Sequence, residues 1–170
     1  GVQNSIDPSL LQYEGRNYLV WGSFRGIYVI ELTADGLSIM SGAKKKRIAG
    51  TAFEAVYIHK HGDYYYMFAS IGSCCQGVKS TYKVVVGRSK KVWGPYKDKT
   101  GKPMLKNGYS LVIGANDHFV GNGHGSQIIQ DDAGQDWLLY HGFSRSTPEN
   151  GRILLLDQIK WDQEGWPYVE

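Results

Sequence analysis

Helical periodicity is missing from this sequence. No stretch repeats apolar residues every 3.6 positions over the length of a helix, so helix is expected for fewer than about a tenth of the residues. Long hydrophobic runs are missing too. The longest purely aliphatic one is Ile153 to Leu156, far short of the ~20 residues a membrane-spanning helix needs, and no membrane partner is expected. The opening Gly1-Val2-Gln3-Asn4 has no signal-peptide character. Cysteine is nearly absent: Cys74 and Cys75 are the only two, and they are adjacent. Adjacent cysteines make neither a framework of separated disulfides nor a zinc site, whose ligands are spaced by two or more residues. A vicinal disulfide and two free thiols both fit, and neither reveals the compartment.

Acids are scarce in one region. Between Lys79 and Lys106 stand nine Lys or Arg and one acid, Asp98, and Lys44-Lys45-Lys46-Arg47 forms a second basic cluster. No nucleic-acid-binding module surrounds either one. They read as solvated basic faces, and nucleic acid is not expected as a partner. A basic face also suits an acidic polysaccharide such as pectin, an idea resting on Lys90, Lys91, Lys97 and Lys99.

What the sequence has in abundance is glycine and aromatics: 22 Gly, with 5 Trp, 12 Tyr and 5 Phe, among 170 residues that are 42% hydrophobic and 21% charged. That is globular composition, enough for one domain or part of one. Short apolar or aromatic runs recur between Gly, Asn and Asp: Tyr18-Leu19-Val20-Trp21, Tyr64 to Phe68, Val84-Val85-Val86, Trp137 to Tyr140 and Ile153 to Leu156. This is the signature of an all-β chain.

The runs repeat. Asp7 lies eight residues before Gly15, with Trp21 six after it; Glu54 lies eight before Gly62, with Phe68 six after; His124 lies ten before Gly134, with Tyr140 six after. Each glycine is followed by an aromatic strand (18–24, 64–71, 137–143) and then a further strand (26–32, 81–89, 152–159). There is room for a fourth near 38–48, 103–113 and 161–169. Four-stranded antiparallel units at this spacing read as propeller blades. The alternative is a plain β-sandwich. Three blades cannot close a ring, so the chain is expected to be part of a larger protein or to associate over its open edges.

The first strand of a propeller blade borders the central axis. The repeat phase therefore places Asp7, Glu54 and His124 around one funnel. Taken singly, Asp7 before Pro8 is a turn former, Glu54 a solvated or paired carboxylate, and His124 among glycines a loop residue. Their shared phase favours a site. Two carboxylates suit glycoside hydrolysis, in which one carboxyl group protonates the leaving oxygen while another stays ionised. A histidine can hold a metal or a water. Trp21, Phe24 and Tyr82 offer ring faces for sugars.

These residues resemble glycoside hydrolase family 43, in its endo-1,5-α-L-arabinanase-like branch. The resemblance rests on Asn4-Ser5-Ile6-Asp7-Pro8-Ser9, Trp21-Gly22-Ser23-Phe24 and Phe53-Glu54-Ala55-Val56-Tyr57-Ile58. It continues in Cys74-Cys75-Gln76-Gly77-Val78-Lys79-Ser80-Thr81-Tyr82, Val86-Gly87-Arg88-Ser89 with Gly94-Pro95-Tyr96, Gly121-Asn122-Gly123-His124, and Gly165-Trp166-Pro167. The resemblance implies a five-bladed propeller of which this chain is the C-terminal three blades, starting near residues 5, 51 and 121. It implies an inverting hydrolase acting on α-1,5-linked L-arabinan. Glu54 is similar to the general acid, and Asp7 to the aspartate that tunes the acid's pKa and orients the sugar. His124 is similar to the axial histidine beside a calcium ion held largely through waters. Ser23, Phe24, Cys74 and Tyr82 fall where the branch binds substrate.

Val56 and Asn122 stand where the family commonly has Pro. The family's third carboxylate, the general base, would precede Gly1. An inverting site needs that base roughly 6.5–9.5 Å from the acid to activate water, so the chain alone is expected to turn over little substrate. An N-terminal half or additional copies would complete it, with Asp63, Asp117 and Asp157 as weak substitutes. The competing expectation is a non-catalytic half-propeller that binds arabino-oligosaccharides. A polysaccharide substrate implies a secreted or periplasmic protein.

Overall fold

The computed structural model describes residues 1–170. Its regular structure is thirteen strands and three single 3-10 turns, with no α-helix. No helix is long and apolar enough to cross a membrane.

The strands fall into three sheets, and every register resolved within them is antiparallel. The first sheet is a meander of β1 (Ser9–Tyr13), β2 (Arg16–Trp21), β3 (Ile27–Glu31) and β4 (Lys46–Ala49). Tyr13 pairs with Arg16 across a two-residue loop. Its Glu14 and Gly15 both take left-handed backbone, φ 49° and 72°, as the primed turns that match strand twist require. The second sheet has the order β5 (Glu54–His61), β6 (Tyr64–Ile71), β7 (Lys83–Ser89) and β8 (Ser110–Ile113). In β6 every residue from Tyr66 to Ile71 is buried, so both faces of the strand are covered.

The third sheet departs from the expected four-stranded unit. It holds five strands: β9 (Phe119–Gly123), β10 (Ile129–Gln130), β11 (Asp136–Ser144), β12 (Arg152–Trp161) and β13 (Pro167–Tyr168). Strand β12 pairs along β11 from residue 136 to 143, which occupies one edge. The other edge takes β9 at residues 141–144 and β10 at 136–137. The unit's first strand is thus broken in two, and Gly123-His124-Gly125 opens the break. His124 has φ 52°, left-handed backbone away from strand geometry. Between the two pieces Ser126 N donates to Leu139 O at 2.8 Å.

The chain forms two compact units, one of Gly1–Met67 with Gly87–Tyr109 and the other of Phe68–Val86 with Ser110–Glu170. In the first unit Val20, Ile27, Phe53, Met67 and Met104 are fully buried; in the second, Val85, Val86 and Leu138 are. Each such side chain contributes roughly 1.5–3 kcal/mol on leaving water. Part of the basic stretch lies on aromatic rings in the first unit. The Arg88 guanidinium sits 4.4 Å from the Tyr64 ring centroid and Lys90 Nζ 5.6 Å from it, a cation–π arrangement.

Loops are tied by carboxylates. Asp131 Oδ1 accepts from the backbone N–H of Ala133 and Gln135 at 2.9 and 2.8 Å, and Oδ2 accepts from Trp137 Nε1 at 2.8 Å. The Trp137 bond above all, then the Gln135 amide, holds the Asp131 carboxyl below the usual carboxylate range. The native state therefore binds fewer protons here than the unfolded chain. Its stabilisation is present above the ordinary Asp value and is lost as pH falls through the lowered one. Asp131→Asn is expected to lower the urea midpoint at pH 7, because an amide cannot accept at both positions. The difference from wild type should shrink as the pH is taken below about 4, which paired urea melts at pH 7 and pH 3 will read.

Candidate active site

In the first unit the segment before β1 folds back on the segment after β2. Gly22 N donates to Ile6 O at 3.0 Å, and Asn4 Nδ2 donates to Ser23 O at 3.0 Å. Phe24 N donates to Phe53 O at 2.9 Å, which brings the start of β5 to the same place. Two side-chain bonds then join the predicted residues. Ser23 Oγ donates to Glu54 Oε2 at 2.8 Å, and Asp7 Oδ2 accepts from the backbone N–H of Ala55 at 3.0 Å. The two carboxylates are thereby tied to consecutive residues, Glu54 by its own side chain and Asp7 through the next peptide.

The backbone here is unusual. Asp7, Phe24 and Ala55 have φ of 55°, 50° and 52°. Asp visits this region readily; Phe and Ala do not, at about 1–3 kcal/mol each. The Asp7 carboxylate holds the N–H of the strained Ala55 in place. A β-branched side chain at 55 worsens the strain and glycine relieves it. Ala55→Val is expected to destabilise the protein by about 2–3 kcal/mol and Ala55→Gly by less than about 1. Denaturant melts of the pair check this, and equal losses would show that the position carries no backbone strain.

Ser23 lies beside the predicted acid. It is fully buried, and its hydroxyl fixes the plane of the Glu54 carboxyl group. Phe24 is partly exposed beside it. Ala55, Asn4 and Gly22 were not singled out by sequence reasoning. Ala55 and Gly22 act through backbone groups or by lacking a side chain, and Asn4 through one amide bond to a backbone carbonyl, so residue chemistry gives little signal for them.

His124, Tyr82 and Cys74 belong to the second unit. His124 N donates to Ser70 Oγ at 2.8 Å. Its ring stacks on His141 with centroids 6.2 Å apart, and His141 stacks on Tyr82 at 5.7 Å. The ladder forms because residue 123 has no side chain: a Cβ there would lie 2.1 Å from the Tyr82 ring. Tyr82 is buried, at 1% exposure. Its ring stacks on His141.

His141 was not anticipated, since one histidine in an apolar strand carries no signal by spacing. Burial first, then the neighbouring Arg152 and His124, pushes it down to about 4. It is therefore neutral near pH 7, with Nδ1 buried and without a hydrogen-bond partner. Of the suggested substitutes for a base, Asp157 accepts from the Tyr140 hydroxyl at 2.6 Å.

Calcium takes six to eight oxygen ligands. His124 and His141 offer imidazole nitrogens, so the ladder fits a calcium ion held through waters and not one bound to it directly. Cys74 and Cys75 are joined in a disulfide, which settles the two alternatives left by the sequence. The bond closes no length of chain and constrains the unfolded state little. It sits in a loop clasped where Ser73 O accepts from Thr81 N and Tyr82 N, each at 3.1 Å.

The sequence profile of glycosyl hydrolases family 43 matches residues 1–167. The chain is 40% identical over 183 residues to the extracellular exo-alpha-(1->5)-L-arabinofuranosidase ArbA of Cellvibrio japonicus, covering 98% of this chain and 52% of that protein. It is 36% identical over 171 residues to the extracellular endo-alpha-(1->5)-L-arabinanase 1 of Bacillus subtilis, covering 96% and 50%. Among solved structures it superposes on the alpha-L-arabinanase of Cellvibrio cellulosa complexed with arabinohexaose, with a TM-score of 0.92 and 36% identity over 100% of this chain and 58% of that one. The chain spans about half the length of the curated relatives it matches.

Proposed function

The chain belongs to glycosyl hydrolases family 43, and from that premise we propose that it carries the acid side of an inverting site that hydrolyses α-1,5-linked L-arabinan. The observation that carries this reading is the pair of bonds from Ser23 to Glu54 and from Ala55 to Asp7. One carboxylate belongs to Glu54 and the other, Asp7, is bonded to the next peptide.

Glu54 is the general acid. As the bond from the anomeric carbon to the glycosidic oxygen breaks, its carboxyl proton passes to that oxygen, and the shortened arabinan leaves as an alcohol. Water attacks the anomeric carbon from the opposite face and gives its proton to a base, which inverts the configuration. Asp7 lies beside the acid and orients the sugar. Phe24 borders the substrate, and Cys74 is a substrate-binding position by family resemblance. His124 would hold a calcium ion through waters, and the ion would supply positive charge there. The base comes from residues beyond these 170 or from another copy, in an arabinanase of five blades. Relatives named extracellular support a secreted protein.

The test is incubation of the protein with linear arabinan, with the products followed by proton NMR. Release of β-configured arabinose ends from α-linked arabinan supports the reading. Arabino-oligosaccharide binding with no release, alone and after the segments that complete the homologous proteins are supplied in trans, replaces hydrolysis with a non-catalytic binding role.

A further inference from the structure

At the far end of the same strands lies a second pocket, of about 550 Å³, a size suited to a small ligand. Asp7 precedes β1 and Glu54 begins β5, whereas the pocket is made by Gln12, Tyr13 and Glu14 at the end of β1 and by Ile58, Lys60 and Tyr65 at the end of β5 and the start of β6. Four to six residues of extended strand, at about 3.3 Å each, separate it from the carboxylate pair by roughly 13–20 Å. It is therefore a separate site and not an extension of the first.

Its walls have the chemistry of a sugar site. Tyr13 stands edge-on to Tyr65 at 6.0 Å and to Trp93 at 5.9 Å. Trp93 is braced in turn by Tyr18 at 4.6 Å. Tyr13 and Tyr65 are partly exposed and line the cavity. Lys60 Nζ lies 5.7 Å from the Tyr65 ring centroid. Around the rings stand the amide of Gln12, the carboxylate of Glu14 and the ammonium of Lys60, all on exposed residues. Glu14 and Lys60 cancel in charge, which disfavours a polyion. A rigid aromatic wall edged by a donor, an acceptor and an amide suits the alternating C–H faces and hydroxyls of a neutral sugar.

We propose that this pocket is a secondary binding site for a neutral polysaccharide chain, linear arabinan, that holds the polymer while the Asp7–Glu54 end of the strands acts on it. The choice of arabinan rests on the functional reading above; the pocket does not. Two sites on one polymer raise the effective concentration of substrate at the second once the first is filled. A short oligosaccharide cannot bridge the separation and gains nothing.

The experiment is affinity electrophoresis of the 170-residue chain through gels containing linear arabinan, galactan or polygalacturonate, with folding checked by circular dichroism. Tyr65→Ala is compared with Lys60→Ala, an exposed position whose change leaves the core intact, and with Glu54→Gln. Retardation in arabinan that Tyr65→Ala weakens about tenfold, Lys60→Ala weakens severalfold and Glu54→Gln leaves unchanged bears the proposal out. Equal retardation of all variants overturns it, as does retardation confined to polygalacturonate. No retardation in arabinan while arabinan is still hydrolysed overturns the pocket and leaves the hydrolase standing. Tyr65-dependent retardation with no hydrolysis in the completed protein does the reverse.

Discussion

Glu54→Gln is expected to lower kcat on linear arabinan by about 10²–10⁴-fold, the usual range for a general acid, with the melting temperature nearly unchanged. Glutamine keeps the shape of glutamate and can still accept from Ser23 Oγ, which lies 2.8 Å from Oε2 in the native site. What it lacks is a transferable proton. The loss should therefore depend on the leaving group. An aryl arabinoside whose phenolate departs without protonation should lose far less than the polymer, where an alkoxide must be protonated to leave. The measurement is the ratio of mutant to wild-type rates on the two substrates, in whatever assembly proves active. An equal loss on both would mean that Glu54 positions the substrate and donates no proton. The same comparison with Asp7→Asn separates the two carboxylates. Asp7 reaches the site through the Ala55 peptide, so its loss should cost rate on both substrates.

Gly22→Ala carries the largest expected effect on stability. Gly22 has φ 126°, and a Cβ there would lie 2.3 Å from the carbonyl oxygen of Gly26 and 3.3 Å from its carbon. That obstacle is backbone, so no rotamer change relieves it. Clash and unfavourable φ together should cost about 3 kcal/mol or more, a large share of the 5–15 kcal/mol that holds a domain folded. Damage also passes to the site, because Gly22 N is bonded to Ile6 O and Ser23 follows it. Gly15→Ala is the control. Its φ is 72° with open space around it, so it meets only the turn's left-handed strain, about 1 kcal/mol. Denaturant midpoints of the two variants should differ plainly. A Gly22→Ala variant as stable as Gly15→Ala would mean that the segment joining the N-terminal stretch to Ser23 is slack.

Some of this was legible in the sequence, and the reason is periodicity. The strands were visible because apolar runs and turn glycines recur, and Asp7 and Glu54 emerged because both hold one phase of that recurrence. Phase locates a residue along a strand but does not say what its side chain meets. The bond from Ser23 to Glu54 and the stack of Tyr82 on His141 were therefore out of its reach. It also assumes an unbroken strand. At His124 that fails: the first strand of the third sheet is split there into β9 and β10. The tie between Asp7 and the Ala55 peptide was beyond reach, since a backbone N–H is the same in every residue but proline.

The break at His124 reaches beyond local pairing. A strand bonded along its whole length fixes its own residue count, because one residue added or removed turns every later side chain to the opposite face. Here β9 and β10 each hold their own register on β11, and between them only the bond from Ser126 to Leu139 intervenes. Residues 124–128 are thus freed from the arithmetic of the sheet. A change of length in this stretch leaves both flanking ladders in register, while His124 itself stays tied to Ser70 and stacked on His141.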